Sequence, residues 1–347
     1  MNNDLKEFKV LKDLVGFNTI KDNENSQIVD YIESYLKGYG FKTEVKTKNL
    51  VMSIGDNPQI GFLGHTDTVE YIEEFKNPHK LTLKDGKLYG LGACDMKGGI
   101  AAMLDAVAKI DFSKLNGGMK LYFTYDEEIG FGGTYELVEP KEQFPKIMIF
   151  GEPTNNEVLT GSKGLLEFDI SFQGLKAHSS NPEKGISANL NAVNFLYELE
   201  QFYNKEIKVE KEPNFMIPYT TMNLGVMKGG TAKNSVPASC NVVMDFRVIK
   251  KSHIEKITNK INTLAEKYKA RADIIEQINP FLDVIDPFSE VKTSNFITEA
   301  SLIGDSSKRI ILGTGPVTAH EVNEHITVES YRKLVQQYMD LIKQCWL

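Results

Sequence analysis

The sequence predicts a mixed α/β fold, a mostly parallel sheet flanked by helices, interrupted by an inserted ferredoxin-like α+β domain. Three observations predict it. First, the apolar runs in QIGFLGHTDTV (59–69), KLYFTYDEEIG (120–130) and KIMIFGEPT (146–154) each end in carboxylates or a histidine. Buried parallel strands read as unbroken apolar runs and release ligand-binding groups at their C-terminal ends. Second, KGGIAAMLDAVAKI (97–110) aligns Ile100, Met103, Leu104 and Val107 on one helical face, as a crossover between parallel strands requires. Third, from 163 to 278 the pattern runs strand, helix, strand, strand, helix, strand.

Taken in order, residues 1–17 read as a charged amphipathic helix without the apolar core of a signal peptide. Ile28, Ile32, Tyr35 and Leu36 recur at helical spacing and stop near Gly38 and Gly40, after which FKTEV and NLVMSIG read as strands. In the insert, GLLEFDISFQG, TTMNLGVMKGG, ASCNVVMDFRV and ADIIEQI read as strands, with helices over 186–203 and 252–269. Gly161 and Gly164, on either side of Lys163, mark an expected hinge. After Pro280 the chain returns: RIILGTG is another core strand, and a final amphipathic helix carries Tyr331, Leu334, Val335, Tyr338 and Leu341. The expected boundaries are 1–162 and 279–347 for the two segments of the larger domain and 163–278 for the insert.

Composition narrows the function. The chain has 347 residues, 41% hydrophobic and 25% charged, enough for one large core and a smaller one. A net charge of −7 without a Lys/Arg run argues against nucleic acid as a partner, since clustered cations carry that affinity. No stretch approaches the ~18 apolar residues of a membrane span. Three cysteines (Cys94, Cys240, Cys345) without C-x-x-C spacing support neither a disulfide framework nor a thiolate metal cage. A soluble, cytoplasmic protein acting on a small molecule is expected.

The chemistry follows from residue types. On a strand, His65 and Asp67 project to the same side, so the carboxylate can hold the imidazole N–H and fix which nitrogen faces a metal. Histidine and carboxylates without thiolates suit zinc, with cobalt or manganese as alternatives. Asp95 can bridge two divalent cations, one completed by His65 and Glu152 and the other by His320 and Glu128, with a water shared between them. Glu127 is one carboxylate too many for this scheme, which leaves it free as general base and acid. Each motif has a bland alternative. An HxD pair, a DEE turn or a GEP turn alone is ordinary surface chemistry, and it is their joint occurrence at strand ends that points to a site. His178 could simply cap or pack, and Arg247 could pair with Asp245. Cys94 reads as a packing residue, His325 as structural, and His79 and His253 as surface histidines.

At this point the chain resembles the dinuclear zinc metallopeptidases and deacylases that include acetylornithine deacetylase, succinyl-diaminopimelate desuccinylase, aminoacylase and carboxypeptidase G. The resemblance rests on GHTDTV, GLGACDMKGG, DEE, GEP, AHSS, NSVP, DFR and a late AH, in that order over nearly the full chain. It implies a zinc-exopeptidase-like catalytic domain whose insert acts as a lid and dimerisation module. It implies the same metal ligands, Asp67 orienting His65, Glu127 as base, and a non-proline cis peptide after Asp95. It further implies that His178 serves the partner subunit's site as an oxyanion donor. Asn234 and Arg247 would hold the substrate carboxylate, with backbone amides around Gly313, Thr314 and Gly315 as a second contact.

The implied reaction removes an acyl group from an N-acyl amino acid in a homodimer. YTTMNLGVMKGG followed by NSVP looks most like the acetylornithine deacetylase branch, with succinyl-diaminopimelate desuccinylase, dipeptidase and carboxypeptidase activities as alternatives. Aminopeptidase relatives usually carry Asp where this chain has Glu152, which argues against a free-amine substrate. A metal-stabilised but catalytically silent binding protein is the non-enzymatic alternative, and retention of Glu127 speaks against it. A two-metal phosphoesterase lacks its basic clamp here.

Overall fold

Strand Pro58–His65 is buried over its last six residues, and its apolar run is explained by parallel neighbours on both sides, Gly118–Thr124 and Ile147–Phe150. In this computed structural model, which describes residues 5–20, 25–71, 74–114, 117–139, 143–285, 291–294 and 296–344, these three strands form the middle of a six-stranded sheet. Lys308–Ile311 adds a further parallel strand beside Ile147–Phe150. Leu50–Ile54 and Lys42–Lys46 extend the other side as an antiparallel pair. The sheet is thus mixed but mainly parallel, as expected.

Helices supply the apolar faces that this sheet needs. Lys97–Val107 is buried on nearly every side, which suits a crossover helix. Ser26–Lys37 buries Ile28, Val29, Ile32 and Leu36, and Val328–Gln344 buries Tyr331, Leu334, Val335, Tyr338, Leu341 and Ile342. Each such side chain contributes roughly 1.5–3 kcal/mol relative to exposure. The first helix spans Lys9–Gly16, shorter than the expected 1–17. Residues 1–4 of that expectation, and Cys345, lie outside the described residues.

The chain divides into two compact units, 1–160 with 283–289 and 298–347, and 161–282 with 290–297. Residues 290–297 belong with the second because Thr293–Ser294 pairs in parallel with Gly161–Ser162. This second unit has the β-α-β-β-α-β order: Gly164–Gln173, helix Ala188–Phe202, Thr221–Gly229, Ser239–Val248, helix Lys251–Tyr268 and Ala270–Ile278. The strands form one antiparallel sheet with Ser239–Val248 and Gly164–Gln173 in the middle. Alternation is strict along Ser239–Val248, where Cys240, Val242, Met244, Phe246 and Val248 face a separate core. Gly164, read as part of a hinge, lies in a strand; a Cβ there would sit 2.3 Å from the Ile278 carbonyl oxygen, so close packing is what requires glycine.

One surface expectation is corrected. His253 is fully buried, its Nδ1 2.7 Å from Thr220 Oγ1 and its Nε2 3.3 Å from Glu210 Oε2. The partners that bury it, Thr220 and Glu210, lie elsewhere in the chain. His79 is half-buried against Tyr71. Among the described residues, no helix is long and apolar enough to cross a membrane.

Candidate metal centre

Register brings the first group of acids together. His65 pairs with Thr124 and Leu63 with Phe150, so the residues that follow the three strands emerge at one edge of the sheet. After Thr124 the chain turns sharply, with Asp126 at φ 63° and Phe131 at φ 59° bracketing the single helical turn Glu127–Gly130. A short polar side chain tolerates that left-handed conformation, which places both glutamates just past the strand. A cis peptide joins Asp95 to Met96, as the resemblance implied, and the crossover helix starts at Lys97. That helix approaches the strand end before Glu152 so closely that a Cβ on Gly99 would lie 2.2 Å from the Gly151 carbonyl oxygen. His320 arrives from the C-terminal segment in the left-handed region, φ 64°.

All of these groups belong to the first unit, and they converge. His65 Nε2 stands 3.1 Å from Asp95 Oδ1 and 3.9 Å from both Glu152 Oε1 and Glu127 Oε2. His320 Nε2 stands 3.6 Å from the other Asp95 oxygen, Oδ2, and 3.1 Å from Glu128 Oε2. Asp95 therefore faces two imidazoles with two different oxygens. On its far side the His65 ring meets Asp67, with Nδ1 3.1 Å from its main-chain oxygen and 3.6 Å from Oδ1, while Asp67 Oδ2 accepts the Glu128 N–H at 3.2 Å.

Electrostatics make this arrangement costly for the bare chain. Burial, then neighbouring carboxylates, pushes the Glu127 and Glu152 carboxyls well above their usual range. Burial works the same way on Asp95, but His320 and His65 outweigh it and hold that carboxyl well below the usual range. His320 is pushed up to about 10 by Asp95 and then Glu128. Asp67 Oδ1, Glu128 Oε1 and Glu152 Oε1 are buried without a hydrogen-bond partner among the described residues. Buried oxygens of this kind are expensive unless a cation or donor satisfies them. Two ligands bonded at ~2.0–2.1 Å to one tetrahedral zinc stand roughly 3.3 Å apart, the same scale as the 3.1–3.9 Å separations here. Two triads have ligand atoms all within 4.8 Å of one another, His65–Glu127–Glu152 and His65–Asp95–Glu128. The donor set thus fits divalent cations, which His65, Asp95, Glu152, Glu128 and His320 could hold.

The remaining expected residues divide. His178 and Asn234 are exposed in the second unit, and their segments meet: Ser179 N donates to the Asn234 carbonyl at 3.0 Å, and His178 bridges to Ser235. His178 Nδ1 is 2.8 Å from Ser180 Oγ. Arg247 takes the structural alternative, a two-point pair with Asp245 at 2.9 and 3.1 Å. The expectation for the glycine-rich stretch is corrected in part. Gly313 N donates to Thr154 Oγ1 and Gly315 N to Ser330 Oγ, so these two amides are already engaged, and Thr314 is buried. His325 packs on Tyr89 at 4.9 Å between ring centres, consistent with a structural role. Cys94 is buried, as expected of a packing residue.

Two buried acids beside the site escaped the sequence reading. Glu299 accepts hydrogen bonds from Thr124 and Thr134, which flank the DEE turn. Glu324 binds the turn that carries Asp95. Nothing local in the sequence marks either, because their partners are remote hydroxyls and main-chain amides.

Comparison with known proteins identifies the family. An acetylornithine deacetylase of Photorhabdus laumondii is 32% identical, over 92% of this chain and 91% of that protein. An aminopeptidase structure from Bacillus cereus matches with a TM-score of 0.79 at 21% identity, over 99% of both chains. A tripeptidase structure from Staphylococcus aureus matches with a TM-score of 0.78 at 22% identity, over 99% of this chain and 98% of that one. These two likenesses speak for the fold. Residues 61–344 match peptidase family M20/M25/M40, and the chain belongs to that family of metal-dependent amide hydrolases.

Proposed function

We propose that this hydrolase removes the acetyl group from Nα-acetylornithine or a close N-acyl amino acid, using two divalent ions, zinc in the first instance. The observation that carries the reading is the position of Asp95, one oxygen toward His65 and the other toward His320. In the proposal His65, Asp95 and Glu152 hold one ion, and Asp95, Glu128 and His320 the other. Bound there, the ions would polarise the amide carbonyl and make a water acidic enough to deprotonate near neutral pH. Glu127 would take that proton and deliver it to the departing α-amine, a role that its position 3.9 Å from His65 Nε2 supports. Asp67 keeps the His65 ring in one orientation. His178, Asn234 and Arg247 carry over from the resemblance as oxyanion and carboxylate contacts, which requires Arg247 to exchange its Asp245 partner for substrate. The 32% identity to an acetylornithine deacetylase supports the choice of substrate.

The second unit is proposed as a lid and dimerisation module. Its edge strand Thr221–Gly229 exposes Leu224, Val226 and Met227, and helix Ala188–Phe202 exposes Leu190, Val193 and Tyr197. An unpaired strand edge with apolar side chains favours pairing with a second copy. A reducing, cytoplasmic setting is part of the same reading, given buried free Cys94 and Cys240.

Initial rates on Nα-acetylornithine, N-succinyl-diaminopimelate and simple dipeptides, with chelated enzyme reloaded with zinc, cobalt or manganese, test the proposal. Acetylornithine should lead in kcat/KM by roughly tenfold or more. A faster succinyl substrate or dipeptide overturns the substrate, and metal-independent silence on all of them favours a binding protein.

A further inference from the structure

Glu324 is only 2% exposed, and its carboxylate accepts three main-chain N–H groups from one short turn. Gly92 donates to Oε2 at 2.8 Å, Cys94 to Oε1 at 2.8 Å and Asp95 to Oε1 at 3.0 Å. The Glu324 main-chain oxygen takes a fourth bond, from Gly90 at 3.2 Å. Four donors within residues 90–95 therefore close on one glutamate that enters from the opposite end of the chain. Converging N–H groups match a carboxylate and mismatch a side-chain amide, whose NH₂ would face a donor. The last of the four belongs to Asp95 itself, so the main chain on which the Asp95 carboxylate swings is fixed where it must be fixed.

The requirement for such fixing is geometric. Asp95 must present Oδ1 toward His65 and Oδ2 toward His320 at once, and a small rotation of its main chain would improve one contact at the expense of the other. Sites of this type tolerate misplacement of only ~0.5 Å. We propose that Glu324 is a positioning residue: by holding the 90–95 turn it aims the two Asp95 oxygens at their separate imidazoles, and so sets the affinity for the ion pair and the rate of turnover. The inference rests on the metal-centre reading above.

Glu324→Gln and Glu324→Asp, compared with wild type, test it. Metal-free protein is followed by thermal melting, then titrated calorimetrically with zinc, and the cobalt-loaded form is examined for magnetic coupling between the two ions. Glu324→Gln should keep a cooperative melt, bind zinc ~10–100-fold more weakly and lose coupling. Its kcat should fall by a similar factor with KM within roughly twofold, because the interaction lost is one realised in the transition state. Glu324→Asp, which keeps the charge but accepts fewer of the bonds, should fall between. On the unmodified chain, the amides of Gly92, Cys94 and Asp95 should exchange slowly with solvent deuterium. Unchanged zinc affinity and kcat in Glu324→Gln overturn the assignment, as do rapid exchange of those amides or a variant that loses its cooperative melt, since Glu324 would then hold the whole fold. A wild type that takes up no divalent ion removes the metal-centre reading itself, whereas two tightly bound ions in both wild type and Glu324→Gln overturn this inference alone.

Discussion

Glu127→Gln should disable the chemistry while strengthening the metal-free protein. The swap keeps size and shape and removes one negative charge from a crowded group. Glu127, Glu152 and His65 have atoms within 4.8 Å of one another. Two carboxylates at that distance repel by roughly 3 kcal/mol at an effective dielectric constant of ~20. Part of that cost is already relieved, because His65 lies 3.9 Å from Glu127 Oε2 and because burial and like charge raise the Glu127 proton affinity. A net gain of about 1–2 kcal/mol in stability remains, equivalent to roughly 1.5–3 °C in melting temperature. Loss of the base should lower kcat by roughly 10²–10⁴ with little change in KM. Melting curves in chelator and steady-state deacetylation in excess zinc read the two effects separately. A metal-free variant that melts below wild type would refute the crowding, and a kcat within a factor of about ten would refute the assignment of Glu127 as base.

In the metal-free protein, the raised groups of the candidate metal centre should contribute less stability as pH rises. Glu127 and Glu152 have folded values raised above the ordinary 4.5, and His320 is raised from 6.5 to about 10, so each contributes stability that is fully present below its ordinary value and is lost as pH climbs through the folded one. Asp95, shifted the other way, matters only in acid. Burial lowers Lys97 to about 7 and Lys163 to about 8, which acts in the opposite sense, so the His320 contribution is read by difference: between pH 6.5 and 10 in chelator the wild-type melting temperature should fall relative to that of His320→Gln, and parallel curves contradict the shift. For the second unit, light scattering should find the proposed dimer in the unmodified protein and a monomer in Leu190→Lys combined with Leu224→Lys; a monomeric unmodified protein would overturn the dimer, and a dimer that survives both charges would place the interface elsewhere.

Legibility in the sequence followed the kind of partner each residue has. His65, Glu127, Glu128 and Glu152 could be found because each lies at or just past the end of an apolar strand, and strand register then carries them to a common edge. The Arg247–Asp245 pair was visible as an alternative because residues two apart on a strand share a face. His253 was misread because its partner Thr220 lies 33 residues away and only the folded unit brings them together. Engagement of the Gly313 and Gly315 amides is not legible, because the hydroxyls that accept from them, on Thr154 and Ser330, come from elsewhere in the chain. Glu324 is the extreme case, since its partners are amides 229–232 residues earlier and an amide leaves no mark in a sequence.

The same contrast bears on how such a site can exist at all. Asp67, Asp95, Glu127, Glu128 and Glu152 gather around two histidines, and like charges in a buried space drive one another apart. Attraction to the two imidazoles favours the charged Asp95, but it leaves Glu127 and Glu152 pushed well above the usual carboxylate range, so attraction alone does not position the whole set in the metal-free chain. The order has to be imposed by contacts that need no ion: the register of three parallel strands, the left-handed residues around the DEE turn, the close approach at Gly99, and the amides gathered by Glu324. Divalent cations held there would meet a site whose repulsion is already built and would relieve that cost, so metal binding and stability would be two readings of one free energy.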